Sequence, residues 1–379
     1  MVVSKNHFTL DYFGGPGIRI TPTVQGTDAS VQVTTWHDGE GEVSIELLDA
    51  AGNTVATGKG PDITLTIFNA HLWNGVKDPY LYSCKARLVV VNGTVEDETT
   101  TRFGVRSFKV DPKKGFFLNG KSYPLHGVSR HQDRKGLGNA ITREMHDEDM
   151  ALIKEIGANT IRLAHYQHDQ YFYDLCDEVG MVVWAEIPYI SEHMPNGREN
   201  TISQMKELII QNYNHPCIVC WGVSNEITIS TKDKKDMLDN HRQLNDLCHE
   251  MDKTRLTTLA CYAMCGPFNR SAHDYRYGQL EPVPRLVRSG LYPERPVDGL
   301  LPSLLPQPPV RLHANTARRA CPTCTAHTPT AATTPKNTRP STMSTCCAAS
   351  SATPGCGPPT FGTCLTLLQT PVTRAASRA

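Results

Sequence analysis

Apolar, strand-like segments alternate with amphipathic, helix-like segments along the middle of the chain, and this pattern restricts the fold more than any other feature. The predicted helices are 143–157, 169–180, 203–214 and 234–252; the predicted strands are 159–166, 181–188, 218–226 and 256–263, after a hairpin and a first strand within 116–131. Strands that alternate with helices across short loops predict a parallel sheet covered on both faces. A closed barrel takes eight such units and about 250 residues. The roughly five units found here therefore predict an incomplete (β/α)8 TIM barrel.

The sequence up to about residue 105 is typical of an all-β domain. Segments such as SVQVTTWHD, EVSIELLDA and YSCKARLVVVNG combine β-branched residues with Gly, Asn and Asp turns. Their spacing predicts a β-sandwich of about 90–100 residues. This stretch has no Cys…Trp…Cys framework, so the immunoglobulin-like assignment depends on the number and order of the strands.

The last 110 residues differ sharply from the rest in charge. Residues 1–269 carry 34 acidic and 26 basic side chains, residues 270–379 carry 4 and 12, and no Asp or Glu follows Asp298. The formal net charge of zero is thus a sum of two unlike parts, and it argues against a nucleic-acid partner. A segment this poor in acidic and aromatic residues cannot bury a core, so we expect a disordered tail.

The sequence also indicates a compartment. No apolar run reaches the roughly 18 residues that would span a bilayer, so no membrane partner is expected. The first residues, MVVSKNHFTLDYF, lack the apolar core of a secretory signal. Seven of the 13 cysteines precede residue 266, mostly in apolar segments, which is typical of reduced, buried thiols. We therefore predict a cytoplasmic location.

Polar residues stand at the end of each predicted strand of the α/β segment. In order along the chain they are Arg130-His131, Arg162 with His165-Tyr166, Trp184 with Glu186, Ser224-Asn225-Glu226, and Tyr262. The carboxyl ends of barrel strands form one face, which is where catalytic residues lie in this fold. Glu226, which follows Trp221 and Asn225, is the strongest candidate and would act as a general acid.

These same residues resemble glycoside hydrolase family 2. The segment Asn214-His215-Pro216…Trp221…Asn225-Glu226 looks like the acid/base signature of that family, and NTIRLAHY (159–166) resembles its other signature. FGVRSF followed by FFLNGKSYPLHGVSRHQD is similar to the family's entry into the barrel, and LWNGVKDPYLY and EIPYISEH are closest to the β-galactosidases. The resemblance covers about residues 12–269. Gln167 departs from it, because the signature commonly has Pro there.

The resemblance implies a role for each matching residue. Glu226 would be the acid/base, Asn225 would bind the sugar 2-hydroxyl, His131 and His165 would contact sugar hydroxyls, and Arg162 would orient carboxylates. Arg162 and Glu186 can equally be structural, and Tyr262 can be a packing residue. Family members often bind Mg²⁺ near the site. Glu192 and His193 are the candidates for it here, although their spacing is not distinctive.

The family's second catalytic residue, a nucleophilic Glu followed by Tyr and Gly, has no match after Glu226. Retaining hydrolysis needs two carboxyl groups, so the chain is predicted to be inactive. Regrouping plausible codons makes several tail segments family-like, including Ala314-Asn315-Thr316, which then supplies the missing Glu. Two single-base shifts, near residues 269–270 and 313–314, would explain the tail. Cys321, Cys324, Cys346 and Cys347 could form a zinc site, but a shifted frame explains them better.

The sequence thus predicts three regions. They are an immunoglobulin-like β-sandwich (1–109), the N-terminal part of a TIM-barrel catalytic domain (110–269) and an out-of-frame tail (270–379). The family's N-terminal jelly roll would be missing. The predicted function is that of a retaining, β-galactosidase-like hydrolase of terminal β-galactosides, and its full-length relatives could be homo-oligomers. The alternatives are a β-glucuronidase or β-mannosidase of the same family, or a non-catalytic carbohydrate-binding fragment.

Overall fold

A computed structural model describes residues 5–9, 13–111 and 114–260. Several predictions fall outside these residues: the role of Tyr262, the boundary at residue 269, the zinc-site alternative, and the disorder and reading frame of the tail.

The first part of the described chain is an antiparallel β-sandwich. Its strands are β1 (His7–Phe8), β2 (Ile18–Gln25), β3 (Asp28–Thr35), β4 (His37–Asp38), β5 (Glu42–Leu48), β6 (Thr54–Lys59), β7 (Asp62–Ile67), β8 (Tyr82–Val89) and β9 (Val95–Phe103). One sheet has the order β2-β3-β7 and the other β6-β5-β8-β9, while β1 and β4 form a small separate pair. Alternate residues of both sheets are buried, as in β8, where every second side chain points inward. The predicted sandwich is confirmed.

A short three-stranded sheet joins the sandwich to the α/β segment. It consists of β10 (Phe108–Asp111), β11 (Gly115–Leu118) and β12 (Lys121–Ser122). The turn between β11 and β12 is Asn119-Gly120, and both residues have positive φ, 49° and 76°. This is the backbone that Asn-Gly favours in a tight hairpin, so the predicted hairpin is confirmed.

The α/β segment is a five-stranded parallel sheet with helices between the strands. The elements are β13 (Gly127–Arg130), α1 (Arg143–Glu155), β14 (Thr160–Leu163), α2 (Gln170–Val179), β15 (Val182–Glu186), α3 (Arg198–Asn212), β16 (Ile218–Asn225), α4 (Lys234–Met251) and β17 (Leu256–Ala260). The strand order follows the chain from β13 to β17, and every pair is parallel. This is the strand arrangement of the first five units of a TIM barrel, as predicted. The third helix begins at Arg198, five residues before its predicted start.

Sandwich and barrel segment contact each other at the amino ends of the barrel strands. Asn214 donates to the carbonyl of Ile18 (3.0 Å) and accepts from the amide of Ile20 (2.8 Å). The Trp73 indole donates to the carbonyl of Asp177 (3.0 Å). Asn214, a residue of the family-like signature, is therefore a docking residue.

The described cysteines agree with the predicted buried, reduced thiols. All five are free and buried: Cys84, Cys176, Cys217, Cys220 and Cys248. A search of the described helices for a segment long and apolar enough to cross a membrane finds none.

Candidate active site

The sheet face turned away from the helices carries a cation, an aromatic ring and a carboxylate on neighbouring strands. Arg162 of β14 lies opposite Trp184 of β15 in the strand register, and its guanidinium lies 4.3 Å from the centre of the Trp184 ring. Glu186, two residues further on the same strand, is fully buried. Opposite Glu186 is Gly222 of β16. A Cβ there would lie 2.4 Å from the Trp184 indole nitrogen and 2.5 Å from the Glu186 Cβ, so the site needs glycine at this position.

Arg162 holds the polar groups of this face together. Its guanidinium donates to both oxygens of Glu186, at 3.0 Å each, and to Oδ1 of Asn225 at 2.6 Å. A bidentate guanidinium–carboxylate pair with extra hydrogen bonds is the arrangement in which a buried charge is tolerated. Arg162, Glu186 and Asn225, on three successive strands, are thus joined in one network.

His165 extends the network outward. Its Nδ1 lies 2.6 Å from Oε1 of Glu186 and 3.2 Å from the Arg162 guanidinium, and from the shorter contact we assign the Nδ1 proton to a hydrogen bond with the carboxylate. Among the described residues the other ring nitrogen, Nε2, has no hydrogen-bond partner, so it can face a ligand. His131 contacts this ring edge-on, with 5.0 Å between ring centroids. Partial burial and the proximity of His165 lower the pKa of His131, so His131 is neutral at pH 7. The structure therefore brings His131 and His165 into contact just beyond the carboxyl ends of β13 and β14.

Asn225 and Glu226 end β16 beside the loop that follows β15. The backbone N–H of Asn225 donates to the carbonyl of Tyr189 (2.9 Å), and its carbonyl accepts from the N–H of Ser191 (3.0 Å). Glu226 has a φ of 47°, in the left-handed region, and its N–H donates to the carbonyl of Ala260 (2.8 Å). The chain therefore turns sharply at Glu226, which leaves its side chain half-buried at the carboxyl end of the sheet.

Arg130, named at the end of the first strand, does not join this site, and neither does Trp221, named together with Glu226. Arg130 points into the helical layer, where it donates to Asp149 (2.7 Å) and lies 3.8 Å from the centre of the Phe172 ring. Trp221 is fully buried on the opposite side of its strand from Gly222, and its indole donates to Asp252 (3.0 Å). The expectation that all five strand ends contribute to one face is wrong for Arg130, and Trp221 is a packing residue.

The two metal candidates do not form a cation site. Glu192 is exposed, while His193 is buried. Both ring nitrogens of His193 have partners at 2.6 Å, Nδ1 with the Tyr189 hydroxyl and Nε2 with Oδ2 of Asp236. A metal ion would have to displace one of these hydrogen bonds, so the donor set does not fit Mg²⁺, which is bound by oxygen ligands.

Elsewhere in the described chain, Asp177, His215 and Cys217 offer three ligand atoms within 4.8 Å of one another. The carboxylate already accepts from His215 Nδ1 (2.6 Å) and from the N–H of Cys217 (3.0 Å). Burial raises the pKa of the Cys217 thiol well above its usual value, so the thiolate that a metal needs is disfavoured. These hydrogen bonds join α2 to the segment that leads into β16, so the cluster has a structural role.

Comparison with known domain families gives two matches. Residues 16–106 match the model described as "Glycosyl hydrolases family 2", and residues 108–283 match "Glycosyl hydrolases family 2, TIM barrel domain". Together they cover more than half of the chain. The second match continues past residue 270, where the first change of reading frame is predicted.

Similar proteins carry two enzyme names. A "Beta-glucuronidase" of Bacteroides fragilis is 41% identical over 283 residues, covering 66% of this chain and 39% of that protein. A "Beta-galactosidase" of Thermoanaerobacter pseudethanolicus is 28% identical, with 68% and 34% covered. The crystal structure of an FMN-binding β-glucuronidase from Faecalibacterium prausnitzii L2-6 aligns with a TM-score of 0.67 and 45% identity, over 71% of this chain and 43% of that one. The chain spans less than half the length of these relatives.

Proposed function

The chain belongs to glycoside hydrolase family 2, and from that premise we propose that it carries the acid/base half of a retaining β-glycosidase site, with Glu226 as the acid/base. Glu226 stands at the carboxyl end of β16, half-buried, directly after an asparagine that is fixed on both its backbone and its side chain. A general acid must lie within hydrogen-bond reach of the leaving-group oxygen. The sharp turn at Glu226 supports this role, because it places this residue at the carboxyl end of the sheet, where it is half-buried.

The neighbouring side chains are suited to bind a sugar. The Oδ1 of Asn225 accepts from Arg162, which leaves its NH2 group to donate to the 2-hydroxyl oxygen. In the same way, the hydrogen bond between Nδ1 of His165 and Glu186 leaves Nε2 of His165 to bind a sugar hydroxyl. The neutral His131 lies beside it. Arg162 and Glu186 act as positioning residues beneath them. The observation that carries the proposal is this single network, which spans three strands and ends at Asn225-Glu226.

In the proposed reaction, Glu226 protonates the glycosidic oxygen while a second carboxylate attacks the anomeric carbon. Glu226 then takes a proton from the water that releases the sugar. We do not assign Glu186 as the second carboxylate, because both of its oxygens accept from Arg162 and its Oε1 also bonds His165. We therefore keep the hypothesis that a shift of reading frame has removed the nucleophile from this chain.

The sugar is proposed from the relatives. We propose a β-glucuronide, because the β-glucuronidases of B. fragilis and F. prausnitzii are 41% and 45% identical to this chain. A β-galactoside, the substrate predicted from the motifs, is the second candidate, since a β-galactosidase is also among the relatives. Arg162 is already bonded to Glu186 and Asn225, so it does not favour either sugar. Cytoplasmic location and homo-oligomer formation stay predictions.

Two experiments test the proposal. Sequencing the DNA across codons 265–320 decides the reading frame, and a clean read in the present frame would contradict the frameshift. The present chain and a frame-corrected chain are then assayed with nitrophenyl β-D-glucuronide and nitrophenyl β-D-galactoside. We expect turnover by the corrected chain only. In that chain Glu226→Gln should lower kcat by about 10²–10⁴-fold, the usual contribution of a general acid or base, whereas Glu250→Gln, an exposed control on α4, should not.

A further inference from the structure

The loop between β15 and α3 runs beside the end of β16 and continues its pairing. Ile190 forms a parallel bridge with Asn225. The Tyr189 carbonyl and the Ser191 amide bond the two backbone groups of Asn225, and the Ser191 carbonyl accepts from the amide of Ser230 (3.0 Å). The loop therefore holds the chain both before and after Glu226.

Two residues of this arrangement have a backbone conformation that non-glycine residues rarely adopt. Ser191 has a φ of 64° and Glu226 a φ of 47°. Such residues cost free energy and persist only where the surroundings hold them in place. The position of Glu226 thus depends on how firmly the loop that contains Ser191 is anchored.

His193 is that anchor. Burial raises the pKa of Tyr189 to about 12, so its hydroxyl keeps its proton and donates to Nδ1 of His193 (2.6 Å). Nε2–H then donates to Asp236 (2.6 Å), whose other oxygen accepts from Arg198 (2.6 Å). The hydrogen bond from His193, and next the one from Arg198, lower the pKa of Asp236, so this carboxylate is charged at neutral pH.

The backbone of His193 makes a third connection. Its N–H donates to Oγ1 of Thr231 (2.8 Å), and that hydroxyl donates to the carbonyl of Ile227. One imidazole residue therefore connects the loop to the first turns of α3 and α4 and to the segment that follows Glu226.

We propose that His193 is a positioning residue, which fixes the backbone of Asn225 and Glu226 through Tyr189 and Ser191 by means of its two ring hydrogen bonds. The inference rests on the proposed function for its meaning in catalysis, and on geometry alone for the positioning. Both ring nitrogens of this histidine, a metal candidate in the sequence, are used in these hydrogen bonds, so neither is left for a metal ion.

The test compares His193→Ala, His193→Gln and the unsubstituted full chain, with His249→Ala on α4 as the matched control. Glutamine is the conservative variant, because its carbonyl can accept from Tyr189 and its NH2 can donate to Asp236. Amide hydrogen exchange is measured at Asn225, Ser191 and Ser230. Calorimetric titration with D-glucaro-1,5-lactone, a ligand seen in a related β-glucuronidase, reports the affinity of the site.

With His193→Ala, we expect exchange at these three amides to accelerate by about tenfold or more, and the lactone affinity to fall by about tenfold. His193→Gln should restore most of both, and His249→Ala should change neither. Unchanged exchange at Asn225 and Ser191 would overturn the proposal. So would an acceleration spread equally over β14 and β15, because it would show a merely structural role. If the parent chain does not bind the lactone, the glucuronide proposal fails, and the exchange rates still decide the positioning.

Discussion

The sandwich and the barrel segment bury different kinds of side chain. Among the described residues, the sandwich buries one polar side chain, that of Thr35, against an otherwise apolar core. The barrel segment buries charged and hydrogen-bonding groups throughout, including Arg130, Glu186 and His241. A buried polar group is costly unless it has a partner. The stability of the sandwich therefore follows from apolar burial, while that of the barrel segment also depends on buried charged groups such as Glu186 keeping their partners.

The same difference separates scaffold from chemistry. The Arg162 network holds a carboxylate, an amide and a histidine in fixed positions, and the Glu186 carboxylate at its centre is fully buried, where hydrogen bonds are stronger than in water. The sandwich needs no such groups. Changes that remove one partner of a buried pair should therefore damage the barrel segment selectively.

The largest effect is expected from Arg162→Met. The substitution leaves Glu186, which is fully buried, without the cation that bonds both its oxygens. Breaking a buried ion pair by removing one partner costs about 3–5 kcal/mol. Hydrogen exchange in increasing urea gives separate free energies of unfolding for peptides of the two regions. We expect the free energy of unfolding to fall by about 3–5 kcal/mol in peptides of β14–β16. It should change little in peptides of β3, β5 and β8.

Arg87→Met in the sandwich is the matched control. Arg87 pairs with Glu98 at 2.7 Å and with Glu46 at 3.4 Å, and all three side chains are partly exposed. An exposed ion pair contributes about 0–1 kcal/mol. If Arg87→Met and Arg162→Met lowered the free energy of unfolding equally, the proposed difference between the regions would be wrong.

The next effect is a pH dependence confined to the barrel segment. His168 accepts from Arg130 through Nδ1 (3.0 Å) and bonds the carbonyl of Ala164 through Nε2 (3.1 Å). Burial, with Arg130 adding to it, lowers the pKa of His168 to about 3, and burial lowers that of His241 to about 3. In the unfolded chain a histidine titrates near 6.5. Between about pH 6.5 and 3, the unfolded state therefore binds a proton that the folded state excludes.

Stability should consequently fall as the pH drops through this window, by about 1.4 kcal/mol per pH unit for each such histidine. The measurement is the free energy of unfolding of barrel peptides between pH 7 and pH 5. His168→Gln should reduce this pH dependence of the free energy of unfolding by about 1.4 kcal/mol per pH unit, the contribution of one histidine. This holds even if the substitution also changes the free energy of unfolding at pH 7. The sandwich peptides are the internal control, because no acidic or basic side chain is buried in that core among the residues that the structure describes. An unchanged slope with His168→Gln would refute the assignment.

Much of the fold could be predicted, because apolar periodicity and turn residues are local signals. The five β units and the Asn119-Gly120 hairpin depend on such signals alone. The sequence predicts the start of α3 five residues too late, because Arg198, Glu199 and Asn200 carry no apolar stripe. The available signal was the preceding Pro195, which begins a short 3-10 turn that leads into the helix.

The orientation of strand residues was harder to predict. All eight residues of β16 are buried, so the sequence of such a strand has no alternation that would tell inside from outside. Trp221 was for that reason grouped with Glu226, and Arg130 with His131. The hydrogen bond between His193 and Asp236 joins a loop to the first turn of α4, 43 residues away, and no local sequence pattern indicates it. The residues of the site were named largely from the resemblance, while their connections came from the structure.

The smallest predicted effect should be the same in both regions. Asp169 at the start of α2 accepts from the backbone N–H of Tyr171 (2.8 Å), and Asn92 in the turn between β8 and β9 accepts from that of Thr94 (2.9 Å). Each is an exposed side chain that bonds a backbone N–H two residues on, in a cap or a turn. We expect Asp169→Ala and Asn92→Ala to lower the free energy of unfolding of their own regions by about 0.5–1 kcal/mol each. A much larger loss for Asp169 alone would mean that the sensitivity of the barrel segment extends to its surface, and not only to the polar groups that it buries.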